Sequence, residues 1–405
     1  MPSVVSRRCI GLAATLLLGV AFIPGALSTA RADEDGVTSS EIVVGAIGAL
    51  TGPLAFIGTP GRDSISLGFK EINAKGGVCG HKLRLQFEHA STPAESLAAV
   101  KKLVEQDKVY ILVLASGSTG AAAAADYVRE VGVPTYNLYG STPIIRNPFS
   151  KNVFHGAIVP VEVAAPDLLS MFYDDGNKPK KLGILAGTYA FPQATLKAVE
   201  DVLKQRKLDY ALEQFDQSAR DYTSQLVSLS GQKVDSILFL GSFSEAGFAI
   251  KQARQMGMTD VRWVLDASAV NSAIIPILGN ADGLRGYFNA PAFPGQSPAV
   301  IEFETRLKAS LGSMPQGRPN IYDMTGYGSA YIMAQAIQAT GCQLTRAKLL
   351  DAWSHLSNAG STKLGGLDVS FAESFTPTDH QGNYRLGAAI VKDGKWQVYR
   401  VIEKP

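Results

Sequence analysis

Two short segments rich in small hydroxyl residues concentrate the binding chemistry of this chain. They are Ser116-Gly117-Ser118-Thr119-Gly120 and Tyr139-Gly140-Ser141-Thr142-Pro143. Each follows an apolar run that reads as a β-strand, and the first opens an Ala-rich stretch that reads as a helix. Such a loop offers backbone N–H groups, hydroxyls and a helix N-terminus, a combination suited to a carboxylate or similar anion. A helix cap with a tight turn accounts for one serine but not for the cluster. In open α/β sheets ligands bind beyond the carboxyl ends of the strands, and two such loops on adjacent strands make a site.

Catalytic signatures are missing from the sequence. There is no GxxxxGKS/T phosphate loop, no GxGxxG, no HExxH and no GxSxG. His81, His89, His155, His355 and His380 stand singly and read as surface or satisfied core residues. Asp174-Asp175 lies in a polar loop and reads as a solvated turn. No enzymatic activity, metal or cofactor is expected.

The elements that position these loops alternate. Glu41 to Gly45 reads as a buried strand, and Ser64 to Ala74 as a helix with Ile65, Phe69 and Ile72 on one face. Gly76-Gly77 stops that helix. Leu83, Leu85 and Phe87 alternate as a strand, and Leu97, Val100, Leu103 and Val104 mark the next helix face. Val109 to Leu114 has no polar face, as in a parallel sheet covered on both sides. A helix over 121–130 and a strand over 134–138 complete a doubly wound α/β unit. The rhythm restarts after about Gly156. Strands are predicted over 182–186, 210–215, 237–240 and 261–265, with helices over 193–205, 222–229 and 246–256. Helices return over 300–311 and 321–340, and Asp393-Gly394 between two apolar runs predicts a hairpin.

The chain has 405 residues, more than one ordinary core, so two domains are expected. With 38 Lys and Arg against 36 Asp and Glu it lacks the footprint of a nucleic-acid binder. Arg7-Arg8, the apolar run Ile10 to Ile23 and Ala30-Arg31-Ala32 have the three parts of a secretory signal, with the cut before Asp33. The run is short for a membrane span, which needs about 20 residues. Cys9 precedes it, so no lipid anchor is expected, and the twin arginines leave both general export routes open. The expected location is the periplasm. Cys79 and Cys342 are the cysteines beyond the leader, and an oxidising compartment favours their pairing.

As a set, these segments resemble the leucine/isoleucine/valine-binding family of periplasmic receptors. The resemblance is carried by Val44-Gly45-Ala46-Ile47-Gly48, Leu50-Thr51-Gly52-Pro53, Glu71-Ile72-Asn73-Ala74-Lys75-Gly76-Gly77-Val78, the two hydroxyl loops, and Gly326-Tyr327 with Ala334-Gln335-Ala336-Ile337. It implies two doubly wound α/β lobes joined by three crossover strands, with the ligand cleft between them. Residues 41–156 plus 290–365 would form the first lobe and 157–289 plus 366–405 the second, after a signal peptide over 1–32. The implied ligand is an amino acid or related small carboxylate. The implied partner is the membrane permease of an ABC importer, served by a monomer. Ser118, Tyr139 and Ser141, with Ser116, Thr119 and Gly140, would hold the carboxylate. Phe56, Phe191, Ser242, Phe243 and Asp266 would complete the site. A Cys79–Cys342 disulfide within the first lobe also follows from the resemblance. The sequence departs from the family where an acid would meet an ammonium group. Pro160 stands there, with Glu162 nearby, and Tyr189-Ala190-Phe191-Pro192 replaces a Tyr-Gly. A non-amino-acid carboxylate, aromatic ones included, or a small amide therefore remains an alternative ligand. A ligand-sensing subunit on the same fold is the alternative role.

Overall fold

The computed structural model describes residues 1–5, 34–358 and 367–403, and every named element lies from Glu34 onward. The expected signal and its cleavage site fall outside the described residues, save the first five. The first part of the chain runs β1 (Glu41–Gly48), α1 (Ala55–Ala74), β2 (Lys82–His89), α2 (Pro93–Lys101), β3 (Ile111–Leu114), α3 (Gly117–Val131), β4 (Thr135–Asn137), α4 (Pro143–Arg146) and β5 (Val153–His155). Its five strands form one parallel sheet in the order β2-β1-β3-β4-β5. Successive residues of β1 face opposite ways: Ile42, Val44 and Ala46 join one apolar cluster, Val43 and Ile47 another. Both faces are covered, which is why β1 and β3 read as unbroken apolar runs, whereas β2 at the sheet edge alternates.

The second part runs α5 (Val161–Ser170), β6 (Leu182–Gly187), α6 (Ala190–Arg206), β7 (Tyr210–Phe215), α7 (Thr223–Gly231), β8 (Ser236–Leu240), α8 (Phe243–Gln255), β9 (Arg262–Leu265), α9 (Ile274–Leu278) and β10 (Arg285–Phe288). α10 (Pro298–Leu311), α11 (Ile321–Ala339) and α12 (Arg346–Ser354) follow, then β11 (Leu386–Lys392) and β12 (Lys395–Ile402). The second sheet is ordered β12-β11-β10-β9-β8-β6-β7, parallel except for the β11–β12 hairpin at its edge. Asp393 and Gly394, both left-handed, turn that hairpin.

α11 returns to the first sheet and packs along α1. A Cβ on Gly68 would lie 2.5 Å from that of Ala330, so the two helices approach more closely than any larger residue permits. Cys79, in the turn after α1, is disulfide-bonded to Cys342, just past α11, with Cα atoms 5.4 Å apart.

α1 begins nine residues earlier than its apolar pattern predicts, and Pro60 lies inside it. Gly58, Pro60 and Gly61 read as breakers but are buried helix residues. A Cβ on Gly58 would meet the Ala49 carbonyl at 2.2 Å, so this glycine serves close packing on the β1–α1 turn. Asp174 and Asp175 also differ from expectation. Asp175 pairs with Arg285 at 3.0 Å and Asp174 with Arg400 at 3.0 Å. His155 and His380 are buried and hydrogen-bonded, to Asn137 and to the Val153 carbonyl.

The chain passes between the sheets three times, around Gly156–Pro160, Asn289 and Gln381–Arg385. Side-chain amides bind these passages to one another. Gln381 Nε2 donates to the carbonyls of Gly156 and Ile158 at 3.0 and 3.2 Å. Asn383 Nδ2 donates to Ala157 O at 2.8 Å, and Asn289 Oδ1 accepts from Val159 N–H at 3.2 Å. The molecule is thus two doubly wound α/β lobes joined by three crossovers with a cleft between.

Candidate ligand site

A cavity of about 470 Å³ opens in that cleft, where the loops at the carboxyl ends of both sheets face each other. Its size suits a small organic ligand. The first lobe supplies Ser116 to Thr119 from the start of α3, then Tyr139 and Ser141 after β4. The second supplies Tyr189, Phe191, the loop Gln217 to Arg220 after β7, Ser242, Glu245, Phe248 and Ser268.

The first-lobe wall is built to donate. Ser116 occupies the N-cap position of α3, yet no side chain caps that helix. The first N–H groups of a helix lack partners within it, and the helix dipole adds positive potential there. Ser116 Oγ instead lies toward Gly120, where a Cβ would come within 2.3 Å of it. The Ser141 N–H donates to Ser118 Oγ at 3.2 Å and joins the two loops. Ser141 Oγ is itself buried without a partner, as is Asn289 Nδ2 on the crossover. Both residues line the cavity. A buried polar atom without a partner is costly unless something supplies one.

Tyr139 offers its ring and backbone, because its hydroxyl donates to Tyr322 O at 2.5 Å. Burial pushes that phenol well above its ordinary pKa. Its ring meets Tyr322 edge-on, centroids 5.0 Å apart. Phe56, Ile57, Ile158, Phe191 and Phe248 extend this apolar surface.

Seven other expected positions sort as follows. Ser116, Thr119, Phe56, Phe191 and Ser242 line the cavity, whereas Gly140 and Phe243 do not. Gly140 packs behind its loop against Ile145 and Asn137. Phe243 borders a separate smaller hollow and meets Phe56 edge-on at 5.4 Å. The Ser242 hydroxyl is engaged in the capping box of α8 with Glu245.

Asp266, expected to complete the site, is fully buried beside the wall and does not line it. Its Oδ1 accepts from Ser268 N–H, Ser268 Oγ–H and Ala269 N–H at 3.0, 2.8 and 3.2 Å, and Oδ2 from Gly241 N–H at 2.9 Å. Burial raises its pKa to about 7 against these donors. The carboxylate shapes the β8–α8 and β9 loops, as a buried acid must find its partners. Glu162 also faces elsewhere, paired with Arg146 at 2.6 Å.

Arg220, Glu245, Phe248, Asn289 and Tyr322 also line the cavity, though none was expected there, and Tyr189 does so from the segment that replaces the family's Tyr-Gly. Ser242-Phe243-Ser244-Glu245 carries the capping-box spacing that would have drawn attention to Glu245. Asn289 and Tyr322 have no local signal, since only the meeting of distant segments brings them to the cavity.

A family model for periplasmic binding proteins matches residues 41–395. The leucine-specific-binding protein of Salmonella typhimurium is 24% identical over 286 residues, covering 69% of this chain and 75% of its own. The structure of a branched-chain amino acid ABC transporter from Thermus thermophilus with bound valine gives a TM-score of 0.79 at 16% identity. That match covers 91% of this chain and 98% of the other. A fatty acid ABC transporter substrate-binding protein from Thermomonospora curvata gives 0.77 at 20% identity, covering 92% and 95%. At these identities the solved structures speak for the fold, and the family model speaks for descent. The chain belongs to the periplasmic binding protein family, as a solute-binding protein and not an enzyme.

Proposed function

We propose that the chain is an exported, monomeric receptor that captures an amino acid or related small carboxylate and delivers it to the membrane permease of an ABC importer. The observation that carries this reading is the uncapped start of α3 beside the partnerless Ser141 hydroxyl, in a cavity that aromatic rings from both lobes also line. Donors without partners beside aromatic rings suit a carboxylate with an apolar body. Residues 41–156 with 290–365 would move as one lobe and 157–289 with 366–405 as the other, in the periplasm. The names of the relatives, which include amino-acid receptors, lend support.

Native mass spectrometry of protein purified from the periplasm tests this. A bound small molecule, released on unfolding and absent from a Ser141→Ala preparation, is expected. Protein that carries nothing and binds no carboxylate in calorimetry would overturn the reading.

A further inference from the structure

Resting on this receptor function, we propose that the solute is a carboxylate that carries no ammonium group, with an aryl or branched alkyl body. The cavity wall has two charged side chains among the described residues, Glu245 and Arg220. Glu245 is buried, and both its oxygens are taken. Oε1 accepts from Ser218 N–H at 2.7 Å. Oε2 accepts from Tyr189 OH, Ser242 N–H and Ser242 Oγ–H at 2.7, 2.8 and 2.9 Å. An ammonium group reaching Oε2 would displace Tyr189 or a donor of the α8 N-terminus, and one reaching Oε1 would share it with the Ser218 N–H.

Asp266 is equally engaged and lies off the wall. Arg220 shares the wall and stands over the Phe248 ring at 5.7 Å. The uncapped α3 adds further positive potential. A zwitterion entering here would bring a positive group to a wall with no unengaged acid, and an unpaired buried charge is strongly disfavoured. A plain carboxylate meets the same donors without that cost. Phe56, Ile57, Ile158, Phe191, Phe248 and Tyr322 would surround its body.

Matched probes separate the cases. The exported protein, freed of solute by unfolding and refolding, is titrated with 3-phenylpropanoate and phenylalanine, and with 4-methylpentanoate and leucine. Each pair differs at the α-ammonium. At least one deamino acid is expected to bind about tenfold or more tightly than its amino acid, a difference of about 1.4 kcal/mol, and Ser141→Ala should weaken it. Tighter binding of either amino acid overturns the inference and leaves the receptor function standing. If none of the four binds, the molecule carried from the periplasm decides. A carboxylate without basic nitrogen supports the inference, and a primary amine overturns it. No bound molecule at all overturns the receptor function instead.

Discussion

The Ser141 N–H donates to Ser118 Oγ across the gap between two loops, 23 positions apart in sequence. This bond makes one surface of two segments that leave adjacent strands, and it assigns the two serines different duties. Ser118 holds the loops together, while the Ser141 hydroxyl is left without a partner.

Ser141→Ala should therefore weaken solute binding by about 10- to 150-fold, the effect of losing a hydrogen bond of 1.5–3 kcal/mol to a charged group. The melting temperature of the empty protein should stay nearly unchanged, because the lost hydroxyl has no internal partner. Ser118→Ala should lower both, since it leaves the Ser141 N–H without its acceptor. Calorimetry and thermal melts on the two variants check this, and full affinity in Ser141→Ala would misplace the carboxylate.

The Cys79–Cys342 bond spans 263 positions. The chain-entropy model gives such a bond about 5.6 kcal/mol at most. Thiol titration of the exported protein, unfolded without reductant, should find neither thiol reactive. The double variant Cys79→Ala, Cys342→Ala should unfold at lower denaturant concentration. Reaction of both thiols would contradict the bond.

Glu373 is fully buried against Tyr136, whose hydroxyl donates to it at 2.5 Å. Burial raises its pKa from 4.5 to about 8. The folded state therefore holds this proton more tightly than the unfolded one. The associated stability is fully present below about pH 4 and is lost as pH rises through about 8. Glu373→Gln keeps an acceptor for Tyr136 and removes the titration. Its melting temperature should fall less than that of the natural protein between about pH 5 and 8. Parallel curves would show that Glu373 does not titrate in this way.

The alternation of strands and helices was legible in the sequence because the central strands, such as β1, β3, β6 and β8, are apolar almost throughout and the edge strand β2 alternates. The start of α1 was not, because Gly58, Thr59 and Pro60 carry local breaker signals that packing against Ala49 overrides. The serine loops announced themselves by composition. Asp266 and Phe243 show the limit of positional matching. Each sits next to a cavity residue, and the backbone turns its side chain away from the opening, Asp266 to bind its own loop and Phe243 to meet Phe56. Arg220 follows only the pair Ser218-Ala219, and Asn289 follows Tyr287-Phe288, so neither stands out in the sequence. Folding alone brings them to the cleft.

In a receptor of the proposed kind, the two lobes should close around a solute in the cleft. Three crossovers tied by Gln381, Asn383 and Asn289 can hinge, and contacts such as Phe56 with Phe243 join the lobes across the opening. A ligand favours the state in which it makes more contacts. Small-angle X-ray scattering of the solute-free protein, before and after saturation with the molecule released from periplasmic material, tests this most directly. The radius of gyration should decrease on saturation. An unchanged radius, with binding verified by calorimetry on the same sample, would contradict closure.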